Sequence, residues 1–179
     1  MGVPTTNQPS AKLIVGLIGG DVRLFDVVKK SLQKKFGPIE NESRIFNFDH
    51  TRYYEKEFGR GLKRLFIVFC KPVSLSKNHR IKLYTNKLEK KLSSRTGRRV
   101  NIDPGYIGLS SLTLFTTKER SHRIYLDSHI YAEVELQFVQ GTFVPLEWTY
   151  PDYRTKDYIE FFNSVRRIHL AEIRKGFKA

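Results

Sequence analysis

Asp103, Lys118, Arg123, Tyr125, Glu133 and Glu135 bring acidic, basic and phenolic groups together from three successive strand-like stretches or their turns. Alternation along a strand sends every second side chain to the same face, so Arg123 and Tyr125 share a face in one stretch and Glu133 and Glu135 in the next. Such a face has two uses. As a cross-strand ladder, it holds a sheet together, with Arg123 opposite Glu133. As the floor of a pocket, it binds an anion and moves a proton: Lys118 and Arg123 would hold a phosphate, and Asp103 or Glu133 would serve as base or cation ligand. Tyr106 or Trp148 would stack on a ring, and Tyr125 completes the ligand-binding set. The function expected of that pocket is binding of a phosphorylated or nucleotide-like ligand, with hydrolysis or group transfer as its chemistry.

A second candidate is electrostatic. The chain carries 32 Lys and Arg against 18 Asp and Glu, a formal charge of +14, which favours polyanionic partners. From Lys77 to Arg99 there are nine Lys or Arg and one acid. Within that run, Lys87, Lys90, Lys91, Arg95, Arg98 and Arg99 form a candidate surface for nucleic-acid phosphates, which needs positive charge but no base-reading pattern. The competing function is therefore a non-enzymatic RNA-binding or ribonucleoprotein accessory module.

Other motifs carry less. "GLIGGDVRLF" follows a strand and opens a helix, the context of an anion-binding helix start, yet it lacks the Lys-Ser/Thr of a phosphate loop and reads better as a tight turn. "TNKLE", Thr85 to Glu89, has the form of a guanine-reading element with Glu for Asp, but the apolar spacing places it inside a helix. The five histidines stand too far apart for a metal motif. Only His50, near Asp49, Tyr53, Tyr54 and Glu57, sits in a loop polar enough for chemistry. No cofactor follows from these residues, and the spacing does not support a divalent cation.

The elements that must position these groups follow from periodicity. Lys12 to Ile18 is a buried-strand run ending at Gly19-Gly20, and Asp21 caps a helix over 22–36 that Gly37-Pro38 stops. "SRIFNF" and "LFIVFC" read as strands separated by a linking segment from Asp49 to Lys63. Ile81, Tyr84, Thr85, Leu88 and Leu92 mark a second helix face, and "RRVNIDPGYI" a strand interrupted by Asp103-Pro104-Gly105. The order predicts an α+β fold built on a ferredoxin-like β-α-β-β-α-β unit. In it the first and third strands are central and the fourth, with Pro104, lies at an edge. A β-meander follows, comprising "SLTLFTT", the stretch through Tyr125, and Ile130 to Phe138. A three-residue loop over Asp127-Ser128-His129 sets its register, with Arg123 opposite Glu133 and Tyr125 opposite Tyr131. An aromatic connector leads to a final helix with Tyr158, Phe162, Val165, His169 and Ile173 on one face.

One domain over residues 11–179 follows, behind a frayed polar leader at residues 1–10. The lone Cys70 excludes an intramolecular disulfide and points to a reducing, cytoplasmic setting. The apolar runs fall short of the roughly 20 residues that span a bilayer, so no membrane is expected.

Several stretches together resemble one family: "KLIVGLI", "FNFDHTRYYEKEFG", "LYTNKLE", "VNIDPGYI", "LTLFTTKERSHRIYL", "IYAEVEL" and "WTYPDY" ahead of an aromatic helix. The chain is similar over nearly its whole length to the bacterial and archaeal domain-of-unknown-function family 4416, some of whose members carry a GTP-binding label. The resemblance implies that recurrent polar positions fall on Asp103, Gly105, Tyr106, Thr117, Lys118, His122, Arg123, Glu133 and Trp148. It brings no established catalytic residue.

Overall fold

In the computed structural model, which describes residues 10–51, 54–95 and 97–176, the first apolar run forms β1 (Ser10–Gly19). Residues 1–9 of the expected leader and Tyr53 lie outside the described residues. Asp21 accepts a hydrogen bond from the Arg23 amide at 3.1 Å and so caps α1 (Val22–Phe36), which ends at Gly37 with φ 93°. The short β2 (Ile39–Glu42) and β3 (Phe46–Asn47) replace the single strand expected over "SRIFNF". The linking segment contains a one-turn helix, α2 (Glu55–Phe58), before β4 (Lys63–Ser74) and α3 (His79–Lys91). Then come β5 (Asn101–Ile107), β6 (Ser111–Thr116), β7 (Ile124–Asp127), β8 (Ile130–Val139), β9 (Thr142–Pro145) and the C-terminal α4 (Lys156–Arg174).

The fold is α+β around one antiparallel sheet ordered β2-β4-β1-β5-β6-β8-β7, with β3 beside β4 and β9 beside β8. The two continuously apolar strands, β1 and β4, are buried on both faces, as their sequences require. On one face Leu13, Val15 and Leu17 of β1 pack against Leu24, Phe25, Val28 and Leu32 of α1 and Ile81 and Leu88 of α3. On the other, Ile14, Phe66 and Val68 meet Tyr158, Phe162 and Val165 of α4. Ile173, expected on that face, is exposed. No helix among the described residues is long and apolar enough to cross a membrane.

Three expectations are corrected. First, β5 is internal, not at an edge: β6 joins its outer side, so the second group of strands extends the same sheet. That pairing begins only at Gly105, which leaves Pro104, with no N–H to donate, beyond the end of the ladder. Second, β6, β7 and β8 are not a meander, because β8 lies between the other two. The connection from β6 to β7 is long enough to step over one strand position, whereas β7 and β8 are joined tightly. The "aromatic connector" also starts with a strand, β9, paired to β8 through a turn at Gln140-Gly141 with both φ positive. Third, the β7–β8 turn is the two-residue Ser128-His129, both at positive φ, with a bulge at Leu126. The bulge restores the expected opposition of Tyr125 and Tyr131.

Asp103-Pro104-Gly105 is likewise no turn; the strand runs straight through it. Gly105 is required by proximity and not by its dihedrals: a Cβ there would stand 2.2 Å from the Thr113 carbonyl oxygen and 3.1 Å from Leu114 Cα. Backbone cannot yield as a flexible side chain does, so Gly105→Val is expected to destabilise the protein by about 1–3 kcal/mol. An unchanged chemical-denaturation midpoint in that variant would contradict the close strand approach.

Candidate functional site

β5 and β6 pair over only Gly105–Ile107 and Leu112–Leu114 and then part. Into the gap opens a cavity of about 640 Å³, within the size range of small-molecule sites. Its walls come from both sides of the sheet: Lys82, Asn86 and Glu89 of α3 from one, and Pro151, Asp152 and Tyr153 of the 3₁₀ turn before α4 from the other. Asn101 and Asp103 of β5 face Leu114, Phe115 and Thr116 of β6, followed by Thr117 and Lys118. A sheet that forks in this way exposes strand interiors to a ligand without breaking either hydrophobic core.

Arg64 is the most buried cation of the wall, with 3% of its surface exposed. Its Nη2 donates to Asp152 Oδ2 at 2.8 Å, and its guanidinium lies over the rings of Phe48, Phe66 and Tyr153 at 5.4, 5.1 and 5.4 Å. Nη1 has no hydrogen-bond partner; the nearest carboxylate oxygen is Asp103 Oδ2 at 3.8 Å. Gly16 makes this seat available, since a Cβ there would stand 2.6 Å from Nη1. Burial acts to lower the Arg64 pKa, but Tyr153, Asp152, Tyr158 and Asp103 outweigh it, so the group stays charged.

Asp103 sits among donors. Asn101 Nδ2 donates to it at 2.5 Å and Lys82 Nζ stands 3.5 Å away, while Lys82 also donates to the Ile102 carbonyl at 3.0 Å. Glu89 accepts from the Ile102 amide at 2.6 Å and from Arg98 Nη1 at 3.1 Å, and burial raises its pKa. Arg98 in turn grips Glu57 with Nε and Nη2 at 2.6 and 2.7 Å. Lys82 and Glu89 thus extend the apolar stripe of α3 with charges that have partners only in the tertiary structure.

On the far wall, Glu133 receives Arg123 Nε at 2.9 Å and Nη2 at 3.2 Å, and stands 3.0 Å from His122 Nε2. Arg123 spends its remaining donors on the Lys118 carbonyl at 2.8 Å and the Tyr150 hydroxyl at 2.9 Å. His122 stacks on Trp148 at 5.0 Å, and Trp148 Nε1 donates to the Val134 carbonyl at 2.8 Å. The alternation expected along β8 breaks at Glu135, the extra residue of a bulge opposite Leu112 and Thr113. The bulge buries both Glu133 and Glu135 and turns Val134 outward. Glu135 Oε1 accepts the Tyr150 amide at 2.6 Å while Oε2 is buried without a partner, and burial foremost, with Glu133 and Asp152 adding to it, pushes the carboxyl up to about 8. Burial likewise raises the Tyr150 phenol to about 12.

Of the residues singled out from sequence, Asp103, Lys118 and Glu133 line this one cavity. Arg98 from the nucleic-acid set lines it too, whereas Lys87, Lys90, Lys91, Arg95 and Arg99 are exposed. Arg123 backs Glu133 from outside the lining, Tyr106 packs on Phe115 at 5.8 Å, Tyr125 is exposed on β7 against Tyr131, and Trp148 supports His122. Sequence reasoning missed Arg64, Lys82 and Asp152, and met Glu89 only as the last residue of "TNKLE" and the one acid of the basic run. Lys82, Asn86 and Glu89, at helical spacing beside the stripe of Ile81, Thr85 and Leu88, were the available signal. His50 lines the cavity with Asp49 at 3.9 Å, and among the described residues no three His, Cys, Asp or Glu side chains converge as a metal site.

The family described as Domain of unknown function (DUF4416) matches residues 9–169. The chain belongs to that family. Every cavity-lining residue falls within the matched region. No curated protein and no solved structure matches the chain.

The Glu135 environment has a measurable consequence. A carboxyl whose pKa is higher folded than unfolded keeps its proton in the native state while the unfolded chain releases it. Glu135 therefore lowers stability as pH rises from about 4.5 to about 8, by at most about 1.4 kcal/mol per pH unit. Glu135→Gln keeps the acceptor for the Tyr150 amide and removes the titration. Its stability relative to wild type, from denaturation midpoints, should rise between pH 5 and pH 8; parallel curves would refute the buried, protonated carboxyl.

Proposed function

We propose that the cavity binds a phosphorylated small molecule of nucleotide type. The observation that carries this is the cationic lining: the buried Arg64 together with Lys82, Arg98 and the exposed Lys118. Arg64 is closed from solvent and held by Asp152 and Asp103, so it contributes charge to the wall, while the exposed Lys118 can make the contact. Lys82, Arg98 and Lys118 stand along the same wall, and Phe48, Tyr54 and Tyr150 supply aromatic faces for a base or similar ring. Four carboxylates, Glu89, Asp103, Glu133 and Asp152, alternate with the cations. A mixed lining of this kind suits a ligand that has hydrogen-bond donors as well as an anionic group, and it disfavours a bare polyanion.

In this reading Lys118 holds the anion, with the charge of Arg64 behind it. Arg123 is a positioning residue: it fixes the Lys118 backbone, Glu133 and Tyr150. Asp103 and Glu133 are the acids available to take a proton or hold a cation if the ligand is hydrolysed or its group transferred. A ferredoxin-like origin for the first half belongs to the same proposal. The order β2-β4-β1-β5 and the placement of α1 and α3 on one face support it. A cytoplasmic setting fits a nucleotide-type ligand and a lone, unpaired Cys70.

The test is thermal denaturation against ATP, GTP, AMP, GMP, ribose 5-phosphate and inorganic phosphate, with phosphate release followed for each ligand that binds. A ligand at a hundred times its Kd contributes about 2.7 kcal/mol, or a rise of roughly 5–10 °C for a chain of this size. Lys118→Ala is expected to stay folded and lose most of that rise. Asp103→Asn is expected to keep the rise and lose any phosphate release. The proposal fails if none of these ligands shifts the midpoint, or if Lys118→Ala keeps the full shift.

A further inference from the structure

The two helices covering one face of the sheet carry a charge that the helix on the opposite face does not. α1 and α3 each hold five Lys or Arg against one acid, whereas α4 holds four against three. The two acids do little to neutralise the outer surface. Asp26 is taken by Lys29 at 3.0 Å, and Glu89 is buried in the cavity wall. Lys30, Lys34 and Lys35 on α1 and Lys87, Lys90 and Lys91 on α3 are all exposed, and none of them pairs with a carboxylate among the described residues. The helices are neighbours: the Tyr84 hydroxyl donates to the Ser31 carbonyl at 3.2 Å, and Phe36 meets the Tyr84 ring edge-on at 5.5 Å. Their cations therefore form one continuous layer.

We propose that this α1–α3 layer docks on the phosphate backbone of a double-helical nucleic acid. Lys30, Lys34, Lys35, Lys87, Lys90 and Lys91 give the layer several separate exposed cations, which suits phosphates spaced along a backbone. Binding to single strands relies on aromatic platforms on which bases stack. The exposed aromatic residues, Tyr125, Trp148 and Tyr150, lie on β7 and after β9, while Tyr84 is already covered by Phe36 and Lys35. Contact is thus with the backbone and independent of sequence. This inference does not rest on the cavity reading, since Lys87, Lys90 and Lys91 lie outside the cavity lining.

The experiment is equilibrium binding of the full chain to an RNA duplex, a DNA duplex of the same sequence and the corresponding single strands, between 50 and about 300 mM salt. Duplex binding should weaken steeply with salt. A triple variant, Lys87→Glu, Lys90→Glu and Lys91→Glu, should lose about a hundredfold or more in affinity at the lowest salt, and its salt slope should be shallower by roughly 2 to 3, as three lost phosphate contacts require. A matched triple on α4, Lys156→Glu, Arg167→Glu and Arg174→Glu, removes the same charge from the other face and should change affinity less than about tenfold. Both duplexes should bind, since the contact is with the paired phosphate backbones that they share. The proposal is overturned if neither duplex binds at low salt, if single strands bind more tightly than duplexes, or if the α4 triple loses as much as the α3 triple. Any thermal shift that a small phosphorylated ligand produces should persist in the α3 triple, so a failure of the cavity reading and a failure of this one are distinguishable.

Discussion

A guanidinium taken out of water at the start of a central strand needs a counter-charge, and Arg64 finds Asp152 88 residues further along the chain. Stripping an ion of water costs several kcal/mol, which only close pairing and further hydrogen bonding offset. The geometry around Arg64 is correspondingly tight. Gly16 leaves room for Nη1, the rings of Phe48, Phe66 and Tyr153 enclose the planar group, and Asp103 on β5 adds a second negative charge at 3.8 Å. One side chain thereby ties β4, β5 and the turn before α4 together at the place where the sheet opens. The apolar contacts of the two cores decide that the chain is folded; the Arg64 pair decides where the C-terminal turn sits relative to the fork.

The fork explains why so many charged groups can be buried near one another. Where β5 and β6 part, backbone ladders end and side chains from both faces of the sheet meet across the gap. Each carboxylate there has a partner from another part of the chain: Glu89 the Ile102 amide, Glu133 Arg123, Asp152 Arg64, and Asp103 Lys82, with Asn101 of its own strand beside it. Breaking one member of such a set leaves its partner charged and buried, so these pairs rigidify the walls even where their net contribution to stability is small. Rigid walls with a mixed charge pattern are what a specific small ligand needs.

The molecule is also electrically lopsided. The acids of the cavity pair with cations that face inward, and the cations of α1 and α3 that face outward keep few counter-charges. α1 and α3 together carry +8 of the overall +14, while the cavity is close to balanced. The paired charges of the cavity and the exposed cations of the helix layer are separated in space, a division that net charge alone does not reveal.

Local regularities in the sequence determined the elements. The apolar periods of α1, α3 and α4, the Asp21 cap of α1, and the continuous runs of β1 and β4 depend only on neighbours a few residues away, and those elements stand as expected. Asp103, Lys118 and Glu133, grouped from successive strand-like stretches, line one cavity, and the family motifs agreed with the match over residues 9–169. Tertiary structure alone decided the rest. That β8 inserts between β6 and β7, and that β5 is internal, are choices between distant strands whose patterns would also satisfy a meander. Bulges at Leu126 and Glu135 change the parity of a strand, so alternation could not tell that Glu135 is buried and Val134 exposed. Arg64, Lys82 and Asp152 look in sequence like ordinary surface charges. They become parts of a site because long-range packing removes water from them, and that depends on partners the local sequence does not contain.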